Sequence, residues 1–416
     1  MRVGVVAETA EGERRVAAVP ETVGRLVKAG WQVAVQRGAG EQAFHPDAAY
    51  ASAGAEVVDD PVPGADVLLS VQPVPTLDIS RLPAGASTIS MLAPSSFPGT
   101  VRAAQQAGIT AFALELVPRI TRAQAMDVLS SQALVAGYRV ALAAAQRLPA
   151  FFPMFMTAAG TVPPARVLVL GAGVAGLQTI ATCRRLGAVV SAYDVRPAAG
   201  EEVKSLGATF LNLELESQEG AGGYARTQSE EFLRQQRELL TTHITKSDVV
   251  ITTAAVPGRR APLLVTAEML AGMRPGSVVV DLAAETGGNC ELTEPGETVW
   301  HNGVQIYGPR NIPSELPRHA SELFARNVST LLLLMTSDGA FAPDFNDEIV
   351  KGCCVTRGGE LVHPVAREAL GVEEPGLDER GVEEPGVEEP RVQEPPVGGH
   401  KPVAEPGSAA GAVRRQ

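Results

Sequence analysis

The sequence predicts an α/β protein with two doubly wound parallel-sheet domains on either side of a cleft. Residues 166–194 read as one complete strand–turn–helix–strand unit, and the first hundred or so residues show the same alternation of short apolar strands and helices. A long helical pattern joins the two halves. The 416 residues are 45% hydrophobic and 20% charged, which is typical of a globular chain.

The first half of the chain alternates β-branched, apolar runs with helical patterns. Strands are predicted at Arg2–Glu8, Gln32–Gln36, Val67–Val71 and Ile109–Leu116, and helices at Pro20–Ala29 and Gly99–Ala107. This half contains no GxGxxG motif. We therefore expect it to form the ligand-poor wall of the cleft.

A polar cluster, PRITRAQAMDVLSSQ at residues 118–132, lies where the halves join. Arg119 and Gln124 precede the helix predicted at Asp127–Leu148, and Asp127 and Ser130 share one face of its first turn. Such a cluster could grip a nicotinamide carboxamide or ribose. The alternative is structural, with Asp127 or Ser130 capping the helix and the arginines solvated.

The strongest motif is the glycine-rich turn between Arg166 and Asp194. The spacing of Gly171, Gly173 and Gly176 permits a tight strand-to-helix turn, close approach of a pyrophosphate and close packing of helix on strand. The phosphates would meet the free N–H groups at the start of the helix. The predicted cofactor-binding residues are Gly171, Gly173, Val174, Ala175, Gly176, Asp194, Val195 and Arg196.

The acidic residue at the end of the second strand indicates which dinucleotide is bound. Asp194 lies roughly 20 residues after Gly171, where a carboxylate accepts hydrogen bonds from the adenosine ribose hydroxyls and repels a 2′-phosphate. NAD is therefore favoured over NADP. Arg196 lies close by and leaves NADP open as the alternative.

Further apolar runs complete both domains. Strands are predicted at Val249–Thr253, Ser277–Leu282 and Val304–Tyr307, and an apolar helix at His319–Met335 returns the chain to the first domain. The predicted domains are residues 1–127 with 312–365 for the first, discontinuous Rossmann-like domain, and 128–311 for the NAD-binding Rossmann domain.

From Gly371 onward the composition changes. Pentapeptides such as GVEEP and GLDER repeat as far as Pro395, and no aromatic ring of Phe, Tyr or Trp follows Phe345. A segment rich in Pro, Glu and Gly cannot offset its ordering entropy by burial. Residues 371–416 are therefore predicted to be a disordered acidic tail, either a spacer or a docking segment.

Composition also excludes several classes of function. The net charge of −12, without a Lys/Arg block interleaved with aromatics, argues against a nucleic-acid partner. Met1 leads directly into a strand-like segment, so we expect no export signal. No uninterrupted apolar run approaches the roughly 18 residues of a spanning helix. The four cysteines lack metal-ligand spacing, which predicts reduced thiols, no metal site and a cytoplasmic protein.

With these motifs together, the chain resembles the NAD(H)-binding α subunit, domain I, of proton-translocating NAD(P) transhydrogenases, in the alanine dehydrogenase/transhydrogenase family. The resemblance runs from Met1 to about Pro364. Its eight motifs, in the family's order, are RVAAVPETV, PRITRAQAMDVLSSQ, VLGAGVAG, AYDVRP, GGYAR with SEEFL, DVVITTAAVPGRRAP, DLAAETGGNCELT and NIPSELP.

The resemblance implies roles for residues that the motifs align. Arg119, Gln124, Asp127 and Ser130 would hold the dihydronicotinamide ring, with Gln124 reaching toward the NADP ribose on a partner domain. Tyr224 would belong to a mobile loop that closes over the nucleotide, as its glycine-rich setting also suggests. The residues implied on the adenosine side are Val256, Pro257 and Gly258.

The resemblance also implies a reaction and its partners. Hydride would pass directly between NAD(H) bound here and NADP(H) on a partner β subunit, and a membrane-spanning subunit would couple the transfer to proton translocation. The family implies a homodimer. With no span of its own, the chain would associate peripherally with the inner face of the cytoplasmic membrane through these partners.

Two other functions stay open. One is an NAD-dependent amino-acid dehydrogenase of the alanine dehydrogenase type, and the other is a non-catalytic NAD-binding sensor. A dehydrogenase must move a proton as well as a hydride and needs a positioned general base. Alanine dehydrogenases resemble this chain but place a lysine and a histidine where Ser70 and about Met91 stand. Ser70 and Gln228 also depart from many transhydrogenase sequences.

Overall fold

A computed structural model describes residues 1–212, 230–255, 259–337 and 339–372. Strands and helices alternate along these residues. Numbered along the chain, the strands are β1 Arg2–Val5, β2 Gln32–Gln36, β3 Glu56–Val58, β4 Val67–Leu69, β5 Ser87–Ser90, β6 Thr110–Ala113, β7 Phe155–Thr157, β8 Gly160–Val162, β9 Arg166–Leu170, β10 Val189–Tyr193, β11 Thr209–Leu211, β12 Val249–Thr252, β13 Val278–Asp281, β14 Thr298–His301, β15 Val304–Tyr307, β16 Thr336–Ser337, β17 Ala340–Phe341, β18 Cys354–Arg357 and β19 Glu360–Leu361.

The helices surround two sheets. They are α1 Pro20–Lys28, α2 Asp47–Ser52, α3 Thr76–Ile79, α4 Pro98–Gln106, α5 Val128–Arg147, α6 Val174–Arg185, α7 Ala199–Ser205, α8 Glu230–Ile244, α9 Ala267–Ala271, α10 Pro317–Leu334, α11 Glu348–Cys353 and α12 Pro364–Leu370.

The first sheet has eight strands in the order β19–β18–β6–β5–β4–β1–β2–β3. From β3 to β6 all pairs are parallel, in the 3-2-1-4-5-6 order of a dinucleotide-binding fold. Strand β18 returns from the far end of the chain and pairs antiparallel with β6. Parallel strands are buried on both faces, and Val3, Val35 and Leu69 accordingly lie in the core.

The second sheet repeats this plan with seven strands in the order β11–β10–β9–β12–β13–β15–β14. Its first six strands are parallel in the same 3-2-1-4-5-6 order, and β14 is an antiparallel addition at the edge. The strand order reverses between β9 and β12. In open α/β sheets this reversal opens a crevice at the carboxyl ends of the strands, where ligands bind.

The predicted fold class is confirmed, since both halves contain a doubly wound parallel sheet. Strands β2 and β15 have the predicted bounds. The strand predicted over Ile109–Leu116 is shorter, because Leu114–Leu116 forms a 3₁₀ turn. The domain boundaries stay a prediction, and residues 373–416 of the predicted tail lie outside the described residues.

The central strand β5 was missed by the sequence analysis. Its sequence STIS is polar, whereas all four residues are buried between β4 and β6. Periodicity of apolar residues cannot detect such a strand, because its burial comes from its neighbours in the sheet. The antiparallel additions β14 and β18–β19 were also missed.

Helix α5 crosses the second sheet with its N-terminus at the carboxyl ends of the strands. Gln146 and Arg147, at its other end, line a cavity of about 470 Å³ together with Val278, the first residue of β13. Among the described helices, α5 alone is long and apolar enough to cross a membrane, with a mean hydropathy of 1.3. Half of that stretch is buried in the fold, as in many core helices, so this feature is weak evidence for a membrane.

Helix α5 packs closely against α6 at Gly137. A Cβ atom at this position would lie 2.2 Å from the carbonyl oxygen of Ala175. The Thr179 hydroxyl also donates to the Gly137 carbonyl, at 3.1 Å. The first turn of α6, which follows the glycine motif, is therefore held against the middle of α5.

The two sheets meet at a buried ion pair between Glu13 and Arg15. Both residues follow β1, they are only 3% and 4% exposed, and Arg15 Nη2 lies 2.7 Å from Glu13 Oε2. Gln72, which follows β4, donates to Glu13 Oε2 at 2.7 Å.

Helix α5 and the segment after β15 supply further partners of this pair. Arg15 Nη1 donates to Oε1 of Gln132 on α5 at 2.9 Å, and Asn311 Nδ2 donates to Glu13 Oε2 at 3.0 Å. Ser314 also donates to Glu13. Asn311 and Ser314 follow β15, so this cluster joins the carboxyl ends of both sheets.

The Glu13 carboxyl is held in its charged form. Burial opposes ionisation, but the hydrogen bond and the charge of Arg15, with the Gln72 and Ser314 donors, lower the pKa of Glu13 to about 2. Each charge of the pair therefore depends on the other for its compensation.

We expect Gly137→Ala to destabilise the protein by about 1–3 kcal/mol, because the added methyl group forces α5 and α6 apart. The matched control is Gly99→Ala in α4, where a Cβ atom meets nothing within 4 Å. Urea unfolding measures both. Equal midpoints for the two variants would show that the contact between the helices adapts without cost.

We expect Glu13→Gln to lower the free energy of unfolding by about 3–5 kcal/mol at pH 7, because Arg15 is left buried without a counter-charge. Glu21→Gln, in the exposed pair with Arg326, should cost less than about 1 kcal/mol. Because the folded pKa of Glu13 lies below its ordinary value of 4.5, its stabilisation is complete above pH 4.5 and declines as the pH falls toward 2. A parent–variant difference that does not shrink between pH 4.5 and 3 would contradict this account.

Candidate functional site

The glycine-rich turn lies between β9 and α6, at the point where the strand order reverses. Gly171 has φ +103°, and a Cβ atom there would lie 2.7 Å from Oγ1 of Thr253, which follows β12. A Cβ atom at Gly176 would lie 1.9 Å from the Gly171 carbonyl oxygen. Both positions therefore require glycine for steric reasons.

Gly173 differs from the other two glycines because a Cβ atom there would meet nothing within 4 Å. Gly173 is the N-cap of α6 and gives its first turn no side-chain cap. Val174 is 42% exposed and Ala175 is half-buried. The open space beside these N–H groups is suited to an anionic group such as a pyrophosphate.

Asp194 follows the last residue of β10, as predicted, and it is held by two neighbours. Its Oδ2 accepts from the Ala172 N–H at 2.7 Å, and Arg196 lies 2.9 Å from Oδ1 through Nε and 3.0 Å from Oδ2 through Nη2. The carboxylate thus fastens the end of β10 to the glycine turn. Arg196, which the sequence left open as a partner for a 2′-phosphate, pairs with Asp194, and Val195 packs against the core of the sheet.

The polar cluster at residues 119–130 forms a 3₁₀ turn, Thr121–Met126, followed by the start of α5. Asp127 is the N-cap of α5: its Oδ1 accepts from the Ser130 N–H at 2.9 Å and its Oδ2 accepts from the Ser130 hydroxyl at 2.6 Å. The capping alternative is therefore correct in its geometry. Arg119 and Gln124 are exposed on the turn before the helix.

Arg122 makes a different contact. It pairs with Asp347 at 2.6 Å and with Glu348 at 3.5 Å, at the start of α11. This exposed pair anchors the outer side of the turn to the first domain. The buried residues of the turn, Ala123 and Met126, pack in the core of the first sheet, and α5 runs from this turn to the second sheet, where Gly137 meets Ala175 beside the glycine turn.

A second buried carboxylate, Asp281 at the end of β13, supports this edge and was not singled out from the sequence. It is fully buried, and its donors are the Thr252 and Thr293 hydroxyls and the N–H groups of Ala283, Asn289 and Cys290, at 2.7–3.0 Å. The spacing of residues around Asp281 does not indicate that it is buried. In the sequence, only its place in the DLAAETGGNCELT motif could have drawn attention to it.

Asn289 spans the loop that follows β12. Its Nδ2 donates to the carbonyl groups of Ala254 at 2.8 Å and Pro262 at 2.7 Å. Val256, Pro257 and Gly258, predicted on the adenosine side, lie outside the described residues, as do Tyr224 and Gln228. Asn289 therefore holds the described flanks of the predicted adenosine loop.

Ser70, Glu8 and His363 are all bonded to backbone groups. Ser70 is buried and donates to the Gln72 carbonyl at 2.7 Å. Burial raises the pKa of Glu8, nearby, to about 7, but its two carboxylate oxygens accept from the N–H groups of Val71 and Gln72. His363 caps α12. No group of three or more His, Cys, Asp or Glu able to hold a metal occurs among the described residues.

The four cysteines are buried free thiols, as predicted. Burial raises the pKa of Cys183 to about 12 and the pKa values of Cys290 and Cys354 to about 11, and it raises that of Cys353 as well. A thiol with a raised pKa is a poor nucleophile at neutral pH. These cysteines are therefore packing residues.

Comparison with known proteins agrees with this arrangement. The alanine dehydrogenase/PNT N-terminal domain profile matches residues 4–136, and the C-terminal domain profile matches residues 140–364. The chain is 45% identical over 377 residues to an NAD(P) transhydrogenase alpha-subunit chain of Rhodospirillum rubrum, covering 88% of this chain and 98% of the relative.

Two further relatives separate the branches of the family. A crystal structure of transhydrogenase from Sinorhizobium meliloti superimposes with a TM-score of 0.80 at 47% identity, covering 87% of this chain and all of that one. Alanine dehydrogenase of Mycobacterium tuberculosis is more distant, at 29% identity over 89% of this chain and 97% of its own length. The chain therefore belongs to the alanine dehydrogenase/PNT family, and within it is more similar to the transhydrogenase α subunits than to that alanine dehydrogenase.

Proposed function

We propose that this chain is the NAD(H)-binding subunit of a proton-translocating NAD(P) transhydrogenase. It would pass hydride directly between NAD(H) bound here and NADP(H) bound on a partner β subunit. The observation that carries this proposal is that helix α5 connects the two parts of the predicted site. The Arg119–Ser130 cluster lies at its start, where Ala123 and Met126 pack in the core of the first sheet, and Gly137 in its middle packs against Ala175 beside the glycine turn. The 45% identity to the Rhodospirillum rubrum subunit supports the same reaction.

The residues present fit a dinucleotide. The open space at Gly173 and the uncapped N–H groups at the start of α6, including Val174 and Ala175, are suited to the pyrophosphate. Asp194, whose Oδ2 accepts from the Ala172 N–H, would also accept from the ribose hydroxyls. Bound nicotinamide supplies the hydride chemistry, and this chain supplies binding and orientation. Val256, Pro257 and Gly258 are assigned to the adenosine side by family resemblance.

Orientation is the catalytic task in this proposal. Arg119, Gln124, Asp127 and Ser130 would hold the dihydronicotinamide so that donor and acceptor carbons come within roughly 3–3.5 Å with water excluded. Tyr224 would close over the nucleotide. Hydride transfer between two nicotinamides moves no proton on the substrates, so it needs no general base.

Partners complete the proposed enzyme. The β subunit would carry NADP(H), and a membrane-spanning subunit would couple the transfer to proton translocation at the inner face of the cytoplasmic membrane, where this chain would be peripheral. A homodimer is also proposed. Its support is the apolar hairpin β7–β8 with its approach, where Phe151 and Met154 are each 57% exposed and Met156 is 75% exposed.

The proposal is tested by mixing this chain with a purified NADP-binding transhydrogenase domain, NADPH and an NAD analogue whose reduction absorbs at a separate wavelength. Rapid reduction that requires both proteins supports it. No reduction with the partner, followed by NADH oxidation by the chain alone with pyruvate and ammonium, would instead establish an alanine dehydrogenase. Tight NADH binding without either reaction would indicate a sensor.

Asp194→Ala should weaken NADH binding by about 1–3 kcal/mol, because the ribose hydroxyls lose a charged acceptor. The same change frees Arg196 from its carboxylate, so discrimination against NADPH should fall. Titration calorimetry with both nucleotides measures this. Asp59→Ala, which removes an exposed carboxylate paired with Arg37, is the control. Unchanged NADH affinity would place Asp194 outside the site.

Gln124→Ala should slow hydride transfer at least tenfold while NADH affinity changes about twofold or less. A misplaced nicotinamide ring lowers the rate of hydride transfer more than it weakens binding. Gln106→Ala, at the exposed C-terminal end of α4, is the matched control. Single-turnover rates with the NADP-binding domain, together with calorimetric affinities, separate the two effects. A parental rate in Gln124→Ala would make the exposed turn purely structural.

A further inference from the structure

Asn327 on α10 connects the two sides of the turn that leads into α5. Its Nδ2 donates to the Ala125 carbonyl at 2.9 Å, and its Oδ1 accepts from the Ser131 hydroxyl at 2.7 Å. Ala125 precedes the cap residue Asp127, and Ser131 follows it. One side chain thus clamps the backbone before the cap to the first turn of the helix after it.

This clamp is buried and directional. Asn327 is only 7% exposed, and both polar atoms of its amide are bonded. A buried amide that loses one of its partners carries the full cost of desolvation, so the geometry is strongly preferred. Gln124 is the residue directly before Ala125 in the chain. Because the clamp holds the Ala125 carbonyl group in place, it also restricts the backbone position of Gln124.

The clamp also continues into the ion pair between the domains. Gln132 Nε2 donates to the Ser131 hydroxyl at 3.3 Å, and Gln132 Oε1 accepts from Arg15 at 2.9 Å. The hydrogen-bonded path therefore runs from Arg15 through Gln132, Ser131 and Asn327 to Ala125. Through it, the turn is tied to the junction where the two sheets meet.

We propose that Asn327 is a positioning residue for hydride transfer, which fixes the turn Thr121–Met126 and therefore the Gln124 side chain. This inference rests on the proposed function. Displacement of a positioning group by about 1 Å can cost 100-fold in rate. Nucleotide affinity depends instead on the glycine turn and Asp194, which Asn327 does not contact. Loss of the clamp therefore lowers the rate and leaves the affinity nearly unchanged.

Two substitutions remove the clamp in different ways. Asn327→Ala deletes both hydrogen bonds. Asn327→Asp keeps the size and an acceptor for Ser131, but it cannot donate to Ala125 and places a carboxylate beside that carbonyl oxygen. The matched control is Ser321→Ala, which removes another buried hydrogen bond of α10, the one that its hydroxyl accepts from the Val16 N–H at 3.0 Å.

The experiment measures single-turnover hydride transfer with the NADP-binding domain, NADH affinity and thermal stability for each variant. We expect both Asn327 variants to transfer hydride 10- to 100-fold more slowly than the parent, with NADH affinity within about twofold. Ser321→Ala should keep the parental rate even if its stability falls. Amide hydrogen exchange without nucleotide should increase over residues 121–130 in the Asn327 variants and stay parental in Ser321→Ala.

Three outcomes would overturn the inference: parental rates in both Asn327 variants, a loss of affinity as large as the loss of rate, or an equal loss of rate in Ser321→Ala. A parent that transfers no hydride would refute the proposed function and this inference with it. If Asn327→Ala does not fold, Asn327→Asp and the exchange measurement decide.

Discussion

The arrangement of the two sheets depends on the buried ion pair of Glu13 and Arg15. Two charges removed from water cost several kcal/mol each unless every partner is in place. Here the partners come from distant parts of the chain: Gln72 follows β4, Gln132 lies on α5, and Asn311 and Ser314 follow β15. Satisfying the pair therefore holds the carboxyl ends of both sheets against each other.

Different elements support the residues predicted to bind the nucleotide and the residues predicted to orient its ring. Gly171, Gly173 and Asp194 belong to the second sheet, and the hydrogen bond from Ala172 to Asp194 holds the turn and the neighbouring strand together. The Thr121–Met126 turn has a different support, because it is held by α10 and α11 through Asn327 and Arg122. In the proposed transhydrogenase, the glycine turn would hold the phosphates and the separately anchored turn would hold the nicotinamide ring, which suits the task of positioning one nicotinamide against another.

The comparisons show that the same fold occurs in proteins with two different activities. An alanine dehydrogenase at 29% identity shares nearly its whole length with this chain, so the fold does not decide the reaction. Two polar residues after β1 and β4 are held by the backbone: Ser70 donates to the Gln72 carbonyl group, and Glu8 accepts from the N–H groups of Val71 and Gln72.

Local sequence determined the glycine turn, the cap at Asp127 and most parallel strands, because steric need for glycine, capping chemistry and apolar periodicity all act over a few residues. It could not show the polar strand β5, whose burial comes from neighbours in the sheet. It also could not show that Asn311 donates to Glu13, or that Asn327 reaches Ala125 across some 200 residues of chain. Contacts of that kind depend on where distant elements meet, so only the tertiary structure decided them.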